Sequence, residues 1–117
     1  MASKTTLEPL PERLRRAVKQ TDIDQAVIAG LTGANPRTVS RWLQDQAEPR
    51  AESRRRLLEV LAVLEHLSAV LKPQAAHDWL FSPNGMLDHH KPVELVAAGD
   101  FRRVLETIDA LAEGVYV

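Results

Sequence analysis

Arg37, Thr38, Ser40 and Arg41 stand together in one short segment. Each can donate hydrogen bonds to a phosphate oxygen or to a base edge. The chemistry such a set offers is recognition of DNA, without any bond being broken. Arg37 and Arg41 are one helical turn apart, so on a helix they share a groove-facing side. Gln25 opens the same segment, and Arg50, Arg54 and Arg55 follow it at the start of the next helical pattern, placed to track phosphates. Other residues offer little. His66, His77, His89 and His90 lack the paired spacing of a metal site, and no cysteine is present to join them or to act as a nucleophile. No Ser/His/Asp signature, glycine-rich phosphate loop or spaced carboxylate pair appears. The reading is of a binding protein that uses no metal or cofactor and is not an enzyme.

The elements that must position these side chains are legible in the spacing. Gln25, Ala29, Gly33, Val39 and Trp42 have the spacing that a helix-turn-helix demands. Ala29 falls where two helices come too close for a larger side chain, and Gly33 where the turn needs φ > 0. Val39 and Trp42 lie on the inward face of the second helix, which is expected over about 36–44. Asn35 can cap that helix, and Pro36 follows at the first helical position, where a missing N–H costs nothing. Ahead of it, Leu10, Leu14, Ala17 and Val18 mark a first helix. Asp22, three places before Gln25, resembles a capping box for the second.

With 117 residues the chain holds one moderate domain or two small helical units sharing a core. Its net charge of −1 conceals an asymmetry. Residues 1–56 sum to +4 and residues 57–117 to −5. A basic first half suits a polyanion, and an acidic second half suits a different partner. The first ten residues lack the apolar core of a signal peptide, and Glu59, Glu65 and His66 interrupt the most apolar stretch. A cytoplasmic location away from membranes is therefore expected.

The pattern stays helical to the end. Leu57, Val60, Leu64, Leu67 and Leu71 fall at heptad spacing in a long helix expected over about 50–71, with Leu58, Leu61 and Val63 widening its apolar face. Such a helix serves as a central core element and could also form a dimer seam. Pro73 is expected to end it. A short helix over 74–81, a Ser82-Pro83-Asn84-Gly85 turn and a helix opening at Lys91-Pro92 and stopping at Gly99 follow. Asp100 is placed to cap a last helix, closed by Gly114. The chain then finishes in Val115-Tyr116-Val117, which could fold onto its own core or enter a pocket on another protein. The expected fold is all-α: a helix-turn-helix unit, residues 1–52, joined by a long helix to a small helical domain, residues 53–117.

Trp79-Leu80-Phe81-Ser82-Pro83-Asn84, then Lys91-Pro92-Val93-Glu94-Leu95-Val96, Phe101-Arg102-Arg103-Val104-Leu105 and the closing run from Ala112 to Val117 resemble the toxin-binding domain of the Xre/MbcA/ParS antitoxins, of the MbcA type. The Xre-like segment Asn35 to Trp42 ahead of them completes that family's two-part layout. The resemblance implies a type II toxin–antitoxin system whose toxin is a RES-domain enzyme consuming NAD⁺. It implies that the antitoxin covers the way into the toxin's active site and represses its own operon by binding operator DNA. It also implies toxin-facing roles among Trp79, Phe81, Ser82, Pro83, Asn84, Lys91, Pro92, Arg102, Arg103, Gly114, Val115, Tyr116 and Val117, some of which must be structural. Assembly as a homodimer or as a larger hetero-oligomer with the toxin is expected. The alternatives are a helix-turn-helix repressor whose C-terminal half only dimerises, and a toxin-binding protein that has lost its DNA-reading surface.

Overall fold

The computed structural model describes residues 8–114. These form α1 (Leu10–Thr21), α2 (Gln25–Thr32), α3 (Pro36–Leu43), α4 (Ala51–Ser68), α5 (Pro73–Leu80), α6 (Pro92–Ala97) and α7 (Phe101–Ala112), with a single 3₁₀ turn at Gly85–Leu87 before α6. The described residues contain no strand, and the all-α expectation holds. No helix among them is long and apolar enough to cross a membrane.

α4 is the axis of the fold. Leu57, Val60, Leu61, Val63, Leu64 and Leu67 are all buried along it, and α1, α2, α5 and α7 pack around it. One cluster of buried apolar side chains runs from Leu14 and Ile28 through α4 to Val104 and Ile108, so both halves of the chain share a core. The apolar face considered as a dimer seam is therefore consumed inside the protein. Only Leu58, on the opposite side of α4, remains exposed among its large apolar residues.

Two helix boundaries and one cap differ from the sequence expectation. Asp22 does not open α2; it ends α1 in the left-handed region at φ 52°, a conformation Asp tolerates. Asp24 caps α2 instead, its Oδ1 accepting the Val27 N–H at 3.1 Å. Between them Ile23 is buried, and that burial sets the register of the turn. α4 stops at Ser68, well before Pro73, because the Val70 and Leu71 N–H groups both return to the Leu67 carbonyl. Lys72 is extended, as a residue before proline prefers, and Pro73 begins α5. Asp100 precedes α7 but makes no side-chain cap, its carboxylate lying 3.6 Å from Arg103.

Two arginines tie the helices to one another. The Arg13 guanidinium on α1 donates to both carboxylate oxygens of Glu65 on α4, at 2.9 and 2.8 Å. Arg56 on α4 donates to the Leu31 carbonyl at the end of α2 and to the Ala97 carbonyl at the end of α6, each at 2.9 Å. A cation there satisfies carbonyls that helix ends leave without partners and opposes the negative end of each helix dipole. Arg56→Ala is expected to cost about 1.5–3 kcal/mol in a urea titration. Both bonds come from Nη2, so Arg56→Lys should recover only part of that loss because the shorter side chain does not bring its ammonium to the same point between the two carbonyls. A wild-type midpoint for Arg56→Ala would dismiss the tie.

Candidate functional site

Gly33 ends α2 at φ 78°, where any side chain would be strained, and its N–H reaches the Ala29 carbonyl at 2.9 Å. Ala29 is buried. The Asn35 side chain accepts the Thr38 N–H at 2.8 Å, and Pro36 opens α3. Val39 and Trp42 turn inward and are buried, while Arg37 and Arg41 are exposed and Thr38 and Ser40 half-exposed. The Ser40 hydroxyl accepts from Gln44 Nε2 at 3.3 Å, which leaves its proton free to donate outward. Arg15 of α1 donates to the Leu43 carbonyl at the end of α3 and so braces the helix from behind. Sequence reasoning missed that brace, since no local pattern links positions so far apart.

Gln25 is half-buried at the first position of α2. Arg50 and Arg54 are exposed at the start of α4. Arg55 is exposed too, but it is engaged: its guanidinium lies 2.7 Å from Glu52 and 3.1 Å from Glu59. The hydrogen bond it donates to Glu52, and then the charges of Glu52 and Glu59, raise its pKa above the ordinary arginine value. Within this set, Arg55 is the cation least available to a polyanion.

The C-terminal candidates divide into interior and surface groups. Trp79 is half-buried against the core, with its Nε1 sealed from solvent and without a hydrogen-bond acceptor among the described residues. Phe81 also packs on the core, its ring centroid 4.8 Å from that of His77. Pro92 is buried at the start of α6, and Asn84 is 4% exposed. Asn84 holds its loop together: its Oδ1 accepts the Met86 N–H at 2.9 Å, and its carbonyl accepts from Leu87 and His89. Asn84, expected from the resemblance to face the toxin, is buried and supports its neighbours instead.

Ser82 and Pro83 are exposed, the Ser82 hydroxyl donating to the Asp78 carbonyl at 2.6 Å. Lys91 is half-buried, and its backbone N–H is held by Glu94 at 3.0 Å. Arg102 is exposed over the Phe101 ring at 5.9 Å, close enough for a cation–π contact. Arg103 reaches Asp88 at 3.3 Å and so ties α7 to the loop 84–90. Gly114 sits beyond α7 at φ 85°, as a terminating glycine should. Val115, Tyr116 and Val117 lie outside the described residues. No group of three or more His, Asp or Glu among the described residues is placed to hold a metal ion.

Residues 62–114 match the family model described as the antitoxin Xre/MbcA/ParS C-terminal toxin-binding domain. The chain is 40% identical over 101 residues to the mycobacterial cidal antitoxin MbcA of Mycobacterium tuberculosis strain H37Rv, covering 86% of this chain and 89% of that protein. The MbcA of Mycobacterium bovis gives the same 40% identity over the same 86% and 89% of the two chains. Among solved structures, a chain in the crystal structure of the M. tuberculosis MbcT–MbcA toxin–antitoxin complex superposes with a TM-score of 0.83 at 37% identity, over 95% of this chain and 100% of that one.

Proposed function

The chain belongs to the Xre/MbcA/ParS antitoxin family, and from that premise we propose that it neutralises a NAD⁺-consuming RES-domain toxin and represses its own operon. One observation carries this reading: the likeness to a chain of a toxin–antitoxin complex runs through both halves, beyond the toxin-binding stretch alone. Residues 53–117 hold the toxin and cover the way into its active site, and residues 1–52 read DNA. On the toxin side the candidates at the surface are Ser82, Pro83 and Arg102, which are exposed, and Arg103, which is half-buried. Trp79, Phe81, Asn84 and Pro92 shape the surface from beneath.

Co-expression with the toxin encoded beside it, followed by size-exclusion chromatography and a NAD⁺ assay, tests the first half of the proposal. A stable complex with NAD⁺ consumption suppressed is expected. Separate elution with undiminished NAD⁺ loss would overturn it, and would leave a repressor whose C-terminal half serves another purpose.

The DNA half is tested by gel shift on the chain's own promoter. Arg37→Ala is expected to cost about 1–3 kcal/mol of operator affinity and to relax sequence preference, as for a base contact. Arg54→Ala should weaken binding to all sequences alike and reduce the salt slope by about 1. Arg55→Ala should do less than Arg54→Ala, because Glu52 and Glu59 already hold that cation. Equal affinity of Arg37→Ala and wild type would remove the base-contact role.

A further inference from the structure

We propose that the loop 84–90 is a preformed docking element with Met86 as its apolar anchor, and that its partner is the toxin. The inference rests on the antitoxin reading above and adds to it a residue that no motif singled out. Met86 is 47% exposed and, with Leu58 at 37%, makes up the exposed large apolar side chains of the described residues. Single exposed apolar residues are ordinary, and Leu58 carries no argument. Met86 differs because of what holds it in place.

The loop is fixed at nearly every joint. The Met86 N–H is taken by the Asn84 side chain, and the Leu87 and His89 N–H groups by the Asn84 carbonyl. The Asn84 N–H donates to the His90 carbonyl at 3.1 Å, closing the loop on itself. Leu87, 1% exposed, plugs it into the core, and Arg103 grips Asp88 from α7. This network holds two consecutive non-glycine residues, Asp88 at φ 56° and His89 at φ 66°, in the left-handed region. Asp and His enter this region more readily than most residues, but two in succession are uncommon, and here the surrounding hydrogen bonds hold both in it.

The result is an exposed apolar side chain on a loop whose other exposed side chains, Asp88, His89 and His90, are polar. An apolar centre with a polar rim is the anatomy of a protein interface, and a loop already ordered loses little freedom on docking. Methionine suits the role, since its thioether adapts to the pocket it enters. The toxin is favoured as partner because the loop lies within the residues that match the toxin-binding domain. It is also continuous, through Arg103, with the surface assigned to the toxin.

The test is titration of the full-length chain, as wild type, Met86→Glu and Met86→Leu, against the toxin encoded beside it. Met86→Glu should weaken binding by about tenfold to a hundredfold, and Met86→Leu by no more than about threefold. Melting temperatures and promoter binding should stay at wild-type values for both. His89→Gly should melt no lower than wild type, since glycine adopts φ > 0 freely, yet bind the toxin more weakly because the loop is loosened. Wild-type affinity in Met86→Glu overturns the inference, as does a large fall in melting temperature for both Met86 variants. A change in self-association with toxin binding intact would make the partner a second copy and likewise overturn it. If the wild-type chain itself fails to bind the toxin, the proposed function falls and takes this inference with it.

Discussion

Leu64→Ala is expected to lower the free energy of unfolding by about 2–5 kcal/mol, a fall in melting temperature of roughly 10 °C or more. Leu64 is 1% exposed on the inner side of α4, among Val60, Leu61, Val63 and Leu67, so truncation leaves a cavity that the neighbouring helices cannot close fully. Because this face is sealed within one copy of the chain, the difference between variant and wild type should be the same at low and high micromolar concentration. Chemical denaturation at two concentrations measures that directly. A loss that grows on dilution would mean that Leu64 is covered by a second copy, since folding coupled to association depends on concentration.

The heptad pattern could not make this distinction, because an apolar stripe looks the same whether its own domain or a partner covers it. The breadth of the stripe was the better guide. Leu57, Leu61, Leu64 and Val63 spread around the helix farther than a coiled-coil seam needs, and helices pack on several sides of it. Where the signal was chemical and local, sequence and structure agree. Gly33 needs φ > 0, Asn35 needs a donor two or three residues on, and Pro36 lacks an N–H; each requirement is met within a few residues.

Where competing local signals existed, burial decided. Asp22 and Asp24 could each open α2, and the inward turn of Ile23 gave the cap to Asp24. Leu71 extends the apolar pattern of α4 past its end because it still packs on the core from the connecting turn. The least legible features join distant positions: Arg56 with Leu31 and Ala97, Arg15 with Leu43, and Arg103 with Asp88. Asn84 and Met86 fall in the same class. Turn chemistry at 82–85 was plain in the sequence. That the loop would bury the asparagine and present the methionine follows only from Leu87 seating against the core.

The largest functional effect is expected from replacing Val115, Tyr116 and Val117 together with serine. These residues follow Gly114, which ends α7, and three successive apolar or aromatic side chains there are well suited to a cleft on another protein. Apolar anchors seated in a pocket contribute about 2 kcal/mol or more each, whereas residues in solvent contribute almost nothing. We therefore propose that this run enters the toxin's active-site cleft. The triple-serine variant should melt and bind operator DNA as wild type does. It should still associate with the toxin through Arg102, Arg103 and the loop at Met86, yet fail to suppress NAD⁺ loss or to rescue growth. A melting temperature many degrees lower would place the run in the protein's own core. Full protection of NAD⁺ by the variant would assign inhibition to the helical surface alone. The expected separation of binding from inhibition is the decisive result, because a surface that only holds the toxin and a segment that fills its cleft fail in different assays.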